Sequence, residues 1–269
     1  MGVLNVTPDS FSDGGRFTRK TLLDVSAVVD AAAAMIQAGA DWLDVGGEST
    51  RPGAAIVSEQ EELERVIPVV DALASRFETA ISVDTSSPAL ISQVSSIGAH
   101  MINDVRALTR PGALEAFVKT DMCLCLMHMQ GDPGSMQSNP CYSAVVSEVK
   151  GFLKARMDAV MEKGVPADRI CLDPGFGFGK TLSHNLHLLH GVAELTDLGR
   201  PILVGFSRKS MIETITGRPV DERLAGTICL NTLALQAGAT ILRVHDVPEA
   251  IDTVKIWKSY WNVGKGQLN

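Results

Sequence analysis

Short apolar runs alternate with longer amphipathic stretches from one end of the chain to the other. The short runs are rich in β-branched and aliphatic residues, whereas apolar residues in the longer stretches recur every three or four positions. The short runs predict eight strands, at residues 3–6, 42–45, 81–84, 101–103, 122–128, 170–173, 202–205 and 241–244. The longer stretches predict helices at residues 22–38, 58–77, 88–97, 111–120, 144–163, 183–195, 224–237 and 248–260.

Helix-end signals support this division of the chain. Ser58 and Glu61 have the spacing of a capping box, in which each residue satisfies a free backbone N–H group of the other. Four of the predicted helices are followed directly by a glycine, the residue that a left-handed C-terminal cap prefers: Gly39, Gly98, Gly164 and Gly238.

Eight strand-then-helix units in a chain of 269 residues predict an α/β fold, the (β/α)8 TIM barrel. A doubly wound open sheet is the alternative, although it usually has fewer strands and a point where the strand order reverses. No linker, low-complexity run or shift in composition divides the chain, so we expect a single domain over residues 1–269.

Composition narrows the class of protein. Hydrophobic residues make up 45% and charged residues 20%, which is typical of a folded globule and not of disorder. Lys and Arg number 24 against 31 Asp and Glu, and this net charge of −7 argues against binding to nucleic acid or to an anionic membrane surface. No apolar run approaches the roughly 20 residues of a membrane span, and no secretory signal is evident. Five scattered cysteines, an odd number, favour reduced thiols and a cytoplasmic location.

Polar residues lie at the C-terminal end of every predicted strand or just beyond it. They are Asn5, Asp44, Asp84, Asn103, Asp104, His128, Asp173, the run 207–210, Arg243 and His245. One such residue alone is usually a helix cap or a turn former. In a TIM barrel, however, the active site lies at the C-terminal ends of the strands, so the complete set predicts a functional site there.

The charges of these residues indicate the chemistry of the ligand. The carboxylates of Asp44, Asp84 and Asp173 require hydrogen-bond donors or a metal, whereas Arg51, Lys209, Arg243 and His245 require an anion or a group rich in acceptors. A donor-rich heterocycle that carries a phosphate or diphosphate meets both requirements. Mg²⁺ would then bind through oxygen ligands such as Asn5 and Asp44. The Gly- and Ser-rich loops after the first two strands, 7–15 and 46–53, are suited to closing over such a ligand.

Several weaker signals lead elsewhere. The tripeptide Gly179-Lys180-Thr181 resembles the end of a P-loop, but Pro174 occupies the position of that motif's first glycine, so we interpret the segment as a loop between strand and helix. Arg208 is interpreted as a solvated loop cation. Cys123 and Cys125 alternate along one strand and are expected to fill the core.

An ordered set of motifs resembles dihydropteroate synthases. Two long signatures carry the resemblance, LNVTPDSFSDGG at residues 4–15 and DVGGESTRPG at residues 44–53. Shorter matches follow in the same order: SVDT at 82–85, IND at 102–104, LMHMQG at 126–131, LDPGFGFGK at 172–180, SRKS at 207–210 and RVHD at 243–246. Each short motif is unspecific, but the ordered set covers nearly the whole chain. Members of this family usually begin with a short segment before the first strand, and loss of that segment is expected to affect stability more than chemistry.

The resemblance implies a TIM barrel enzyme that joins 6-hydroxymethyl-7,8-dihydropterin diphosphate to p-aminobenzoate and releases diphosphate in an SN1-like substitution. It implies Mg²⁺ as cofactor, sulfonamides as competitive inhibitors and a homodimer built on the late helices. The pterin would bind to Asp84, Asn103, Asp173 and Lys209. The diphosphate would bind to Asn5, Arg51, Arg243 and His245, with Asn5 and Asp44 acting through Mg²⁺. The p-aminobenzoate pocket would contain Phe11, Thr50, Pro52, Phe178 and Ser210. The catalytic groups would be Asp84, Asp173, Lys209 and Arg243.

Two other functions remain open at this point. A pterin-dependent methyltransferase would share the Asp and Asn residues, but it has little use for the elements around Arg51 and Lys209. A catalytically silent pterin-binding module would not need the complete set of charged residues.

Overall fold

A computed structural model describes residues 1–7, 18–19, 22–48 and 57–264 of the protein. Its strands, numbered in chain order, are β1 (Gly2–Asn5), β2 (Thr18–Arg19), β3 (Leu22–Leu23), β4 (Trp42–Gly46), β5 (Ala80–Asp84), β6 (Met101–Asp104), β7 (Cys123–Met127), β8 (Ile170–Asp173), β9 (Leu203–Val204) and β10 (Ile241–Leu242). Its helices are α1 (Val25–Gln37), α2 (Glu59–Ala74), α3 (Pro88–Ser96), α4 (Ala113–Phe117), α5 (Val145–Glu162), α6 (Leu182–His190), α7 (Val192–Leu195), α8 (Ser210–Thr216), α9 (Leu224–Gln236) and α10 (Val247–Gly264).

Eight parallel strands close into a ring. Six of them form a sheet in the order β1-β4-β5-β6-β7-β8, and β9 pairs with β10. Parallel bridges join the two groups at both ends, from Leu172 to Ile202 and from Gly2 to Val244. The backbone N–H of Val3 donates to the carbonyl of Val244 at 3.0 Å, so the first strand is bonded to the last. The ring confirms the predicted barrel, because a doubly wound sheet has two free edges.

Alternation along the strands separates the core from the barrel interior. Leu124 and Leu126 of β7 belong to the main apolar cluster, which packs the strands against helices such as α2 and α5. Cys125, between them, faces the other way and packs with Met101, Cys171 and Leu203 of the neighbouring strands. Both alternate cysteines of this strand therefore serve as packing residues, as predicted, with Cys123 only partly buried.

The same period of two places the polar strand ends inside the barrel. Asn103 lies two residues after Met101, and Asp173 lies two residues after Cys171, so both side chains lie on the interior face. The lower part of the interior is therefore filled by sulfur-containing and apolar side chains. Its C-terminal end is left to polar groups, where a barrel enzyme binds its ligand.

The predicted elements are confirmed with local differences. Helix α1 begins at Val25 and not at residue 22, because the Asp24 carboxylate accepts from the Ala27 N–H at 3.1 Å, while Leu22–Leu23 pairs with β2 in a hairpin. The helix predicted at 183–195 divides at Gly191 into α6 and α7, and α8 was not predicted. The capping box of Ser58 with Glu61 is present. All four predicted cap glycines have a left-handed φ, between +92° and +102°.

None of the helices in the described ranges combines the length and the apolar character that crossing a membrane requires.

Candidate active site

The C-terminal ends of the strands surround a cavity of about 610 Å³. Its lining includes nine of the residues predicted for the site: Asn5, Asp84, Asn103, Asp173, Phe178, Lys209, Ser210, Arg243 and His245. Asp44 lies behind this wall and is fully buried. Phe11, Thr50, Arg51 and Pro52 lie outside the described residues. A volume of this size is in the range of small-molecule sites.

One arginine in the wall of the cavity joins two carboxylates. Arg243 donates from Nε to Asp44 Oδ2 at 2.6 Å and from Nη2 to Asp84 Oδ2 at 3.0 Å. Asp44 accepts two further hydrogen bonds, from Ser82 Oγ at 2.6 Å and from Asn103 Nδ2 at 3.2 Å. A buried carboxylate needs this many donors, because it has lost its water. The arrangement orients Arg243 and leaves its side chain 23% exposed to the cavity.

Burial shifts the acid–base behaviour of the site. It raises the pKa of Asp84 and of Asp173, and the nearby cations Arg243 and Lys209 respectively oppose these rises. Burial also lowers the pKa of Lys209 to about 8, against the attraction of Asp173. For Arg243 the attraction of Asp44 and Asp84 outweighs burial and raises the pKa above its usual range. Clustered, strongly shifted groups in one cavity are typical of a functional site.

Two strand-end residues present acceptors to the cavity. Asn103 is 3% exposed; its Nδ2 is engaged by Asp44, and its Oδ1 has no hydrogen-bond partner among the described residues. A buried acceptor without a partner costs about 1–3 kcal/mol, which a ligand that donates an N–H would recover. Asp173 accepts at Oδ1 from the Gly175 N–H at 2.7 Å. This end of the cavity is therefore suited to a heterocycle with several N–H groups.

The loop after β9 supplies a cation and a hydroxyl. Lys209 precedes α8, donates from Nζ to the carbonyl of Phe176 and lies 4.7 Å from the centre of the Phe178 ring. Ser210, the first residue of α8, is exposed. His245 is held by Ser207, whose Oγ lies 2.9 Å from the His245 Nδ1. Arg208, interpreted above as a solvated cation, instead pairs through Nε with Asp246 at 3.1 Å.

Lys180 lines the cavity but was not predicted for the site. The segment 179–181 is indeed a loop between β8 and α6, but the Lys180 side chain turns inward and is 3% exposed. Its Nζ lies 3.0 Å from His128 Nδ1 and donates to the carbonyls of Gly175 and Phe178 at 2.9 and 3.0 Å. The only sequence signal is a lysine at the end of a run of glycines, and solvated lysines have the same local sequence.

The two expected Mg²⁺ ligands differ in how well they fit. Asn5 lines the cavity. Asp44 does not fit, because it is fully buried and both its oxygens already accept from Ser82, Asn103 and Arg243. Within the described ranges, no three His, Cys, Asp or Glu side chains are grouped so that they could hold a metal.

Comparison with known proteins identifies the family. Residues 1–245 match the family described as pterin binding enzyme. The chain is 52% identical to the dihydropteroate synthase of Escherichia coli K12 over 256 residues, which cover 95% of this chain and 89% of that protein. The dihydropteroate synthase of Haemophilus influenzae is 46% identical, over 97% of this chain and 94% of its own. The chain belongs to the dihydropteroate synthase family.

Solved dihydropteroate synthases share the whole fold. The Yersinia pestis enzyme in a sulfonamide drug complex has a TM-score of 0.93 and 47% identity, covering 97% of this chain and 94% of its own. The Xanthomonas albilineans enzyme in complex with 7,8-dihydropteroate has a TM-score of 0.86 and 42% identity, covering 97% and 92%. Membership of the dihydropteroate synthases confirms the expected enzyme class, a transferase that forms dihydropteroate. It disfavours both the methyltransferase and the silent module.

We predict that Ser82→Ala destabilises this dihydropteroate synthase barrel by about 2 kcal/mol, because the variant removes a charge-assisted hydrogen bond from a carboxylate that water cannot reach. The free energy of unfolding in urea measures the effect. Ser92→Ala is the matched control, since the Ser92 hydroxyl lies on the exposed side of α3 and donates only to the Pro88 carbonyl. Equal losses of unfolding free energy in the two variants would show that the hydrogen bond from Ser82 to Asp44 stabilises the barrel no more than an exposed one does.

Proposed function

We propose that the chain joins 6-hydroxymethyl-7,8-dihydropterin diphosphate to p-aminobenzoate in this cavity. The observation that carries the proposal is the division of one cavity into two chemistries. Asp84, Asn103 and Asp173 present acceptors, while Arg243, Lys209 and His245 supply donors and positive charge. A pterin with several N–H groups and an anionic leaving group meets both. The relative from Xanthomonas albilineans in complex with 7,8-dihydropteroate supports the same substrate class.

The acceptors would hold the pterin. The free Oδ1 of Asn103 and the carboxylates of Asp84 and Asp173 face the cavity and would accept from the ring N–H and amino groups. Lys209 would donate to the ring carbonyl. Burial has removed the hydrogen bonds that these acceptors would make to water. A pterin in this position would supply N–H donors instead, so each acceptor without a partner would add to the free energy of binding.

The cations would hold the diphosphate. Two nitrogens of Arg243, Nε and Nη2, are engaged by Asp44 and Asp84, and among the described residues Nη1 has no such partner. Its N–H groups would bind a phosphate oxygen, together with His245 and Arg51. The two carboxylates fix the plane of the guanidinium before substrate arrives, so little side-chain entropy remains to be lost on binding.

The reaction would be a substitution at the pterin methylene carbon. The bond from this carbon to the diphosphate oxygen breaks, and its electron pair leaves with the diphosphate. The amino nitrogen of p-aminobenzoate then forms the new C–N bond and loses a proton. Asp84 and Asp173 would stabilise the positive charge that develops on the pterin, whereas Arg243 and His245 stabilise the leaving anion.

The acceptor substrate would lie against Phe178, Lys209 and Ser210, which face one side of the cavity. Thr50 and Pro52 are proposed for the rest of this pocket, and Phe11 with them. Sulfonamides would compete with p-aminobenzoate here, because they share its aniline ring. The Yersinia pestis relative in a sulfonamide drug complex supports that proposal.

We also propose that residues 1–269 work as one domain in the cytoplasm. The bonding of β1 to Val244 joins the start of the chain to its late part, which supports a single domain. All five cysteines are free thiols, as a reducing compartment favours.

The first prediction from the proposed function concerns Lys209. Lys209→Ala removes a donor and a charge from the cavity, and we expect kcat/KM for dihydropteroate formation to fall about 100-fold or more. Because the pKa of Lys209 is lowered to about 8, wild-type activity declines as this group loses its proton above that pH. Lys209→Arg keeps its charge and should move the decline to higher pH.

Turnover of the pterin diphosphate with p-aminobenzoate is measured across pH for wild type, both variants and Lys154→Ala. Lys154 is a control on the exposed face of α5, paired with Asp158. Absence of product from the wild-type chain would overturn the proposed function. Full activity in Lys209→Ala would remove Lys209 from the mechanism.

The second prediction concerns Mg²⁺, which we propose reaches the cavity with the diphosphate and contacts the protein through Asn5 and not through Asp44. When bound, Mg²⁺ would neutralise part of the diphosphate charge. Asn5→Ala should therefore raise the Mg²⁺ concentration for half-maximal activity, and excess Mg²⁺ should restore turnover. Asp44→Asn should lose activity that Mg²⁺ does not restore, because Arg243 loses its main partner. The reverse pattern would make Asp44 the metal ligand.

The third prediction concerns assembly, since we propose a homodimer formed through α9 and α10. These helices pack on each other and carry exposed apolar side chains: Leu233 at 56%, Ile256 at 72%, Tyr260 at 68% and Val263 at 63%. Exposed apolar residues gathered on two adjacent helices favour a protein partner. Leu233→Glu with Ile256→Glu should convert the dimer to monomer in sedimentation velocity, whereas Leu186→Glu on α6 should not. A wild-type chain that sediments as monomer at micromolar concentration would refute the dimer.

A further inference from the structure

The loop between β8 and α6 is held by side chains through its carbonyl groups. Six successive carbonyls, from Gly175 to Lys180, each accept from a side chain. The donors are Lys180 to Gly175 and Phe178, Lys209 to Phe176, Gln137 to Gly177, Tyr142 to Gly179 and Asn185 to Lys180. Connecting loops usually leave such groups to water. This loop is therefore fixed from several sides.

Lys180 makes the central contacts. Its Nζ donates to Gly175 and Phe178 and lies 3.0 Å from His128 Nδ1. Burial lowers the pKa of His128 to about 3, so the imidazole is neutral at physiological pH and its Nδ1 accepts the hydrogen bond. The three N–H groups of the ammonium thus face four acceptors, since the carbonyl oxygen of His128 also lies 3.4 Å from Nζ. A buried cation is costly, and an apolar side chain would serve mere packing better.

Glycines let the loop lie directly on the end of β7. A Cβ atom at Gly175 would lie 1.9 Å from the carbonyl oxygen of His128, and one at Gly179 would lie 2.4 Å from that of Gln130. Both residues also have a left-handed φ, +70° and +60°. The loop therefore has a close backbone contact on one side and the Lys180 ammonium within it.

The loop carries the groups that face the second substrate. Phe178 presents its ring 4.7 Å from Lys209 Nζ, and the carbonyl of Phe176 accepts from the same ammonium. Lys180 holds the carbonyl of Phe178 itself. Without the hydrogen bond from Lys180, the Phe178 ring would move relative to Lys209. Asn103 and Asp84 would not move, because they are fixed by their strands.

We propose that Lys180 is a positioning residue for the p-aminobenzoate pocket: held by His128, it fixes the loop 174–180 so that Phe178 and Lys209 form one face of that pocket. This inference rests on the proposed function, because it requires p-aminobenzoate to lie against Phe178. It gives Lys180 no contact with the reacting atoms.

The experiment compares Lys180→Met, Phe178→Ala and the double variant with wild type. Methionine keeps an unbranched side chain but removes every N–H donor. We expect Lys180→Met to raise the KM for p-aminobenzoate about tenfold or more, and to change the dissociation constant for 6-hydroxymethylpterin by less than about threefold. The double variant should be little worse than the worse single variant, because both changes remove the same face. Lys154→Met is the matched lysine control.

The outcomes separate the inference from the function. If Phe178→Ala leaves the KM for p-aminobenzoate unchanged, the proposed pocket is wrong. If Phe178→Ala raises that KM but Lys180→Met does not, or if the two effects multiply in the double variant, Lys180 has no positioning role. A general loss in which pterin binding falls as much as p-aminobenzoate binding also overturns it. Should Lys180→Met not fold, Lys180→Gln replaces it. Its shorter amide keeps two N–H donors but lacks the charge and the reach of the ammonium, so the KM for p-aminobenzoate should still rise more than the dissociation constant for 6-hydroxymethylpterin, and equal changes in the two would overturn the inference.

Discussion

The site depends on one guanidinium held between two carboxylates. Arg243 follows the last barrel strand, while Asp44 lies within β4 and Asp84 ends β5, 199 and 159 residues away in the chain. The closed ring brings them within hydrogen-bond distance, because Val244, just after β10, is bonded to β1, β1 pairs with β4, and β4 pairs with β5. Removing one partner of a buried pair typically costs about 3–5 kcal/mol. The arginine–carboxylate cluster of the site therefore requires the closed ring.

Charge balance explains why so many ionisable groups can be buried together in one cavity. Asp44 and Asp84 are balanced by Arg243, and Asp173 is attracted to both Lys209 and Lys180. Burial alone would favour the neutral forms of these groups, and it does raise the pKa of Asp173 and lower that of Lys180 to about 7. Their mutual attraction opposes this shift. Such a site suits a ligand that carries both N–H donors and negative charge. The donors bind the carboxylates and the negative charge binds the cations, in place of part of the interaction between carboxylate and cation.

The sequence predicted the architecture and the interior strand ends, but not the directions of loop side chains. Strand ends are predictable because a period of two fixes which face Asn103 or Asp173 occupies, whatever the loops do. Lys180 could not be placed in the same way, because its direction depends on three glycines with positive φ and on His128, the acceptor that follows β7. The burial of Asp44 was also unpredictable. Whether a strand-end carboxylate meets metal or arginine depends on a residue nearly 200 positions later.

One backbone angle sends the side chains of two adjacent cations, Arg208 and Lys209, in different directions. Arg208 has a left-handed φ of +59°, which is costly for a residue with a Cβ. Its backbone N–H is held by Thr227 and its carbonyl by Arg223, and its side chain pairs with Asp246. The turn sends the next side chain the opposite way, so Lys209 enters the cavity towards Phe176. The strain at Arg208 is offset by those three contacts, and this turn places the Lys209 ammonium in the cavity, where we propose that it donates to the pterin carbonyl.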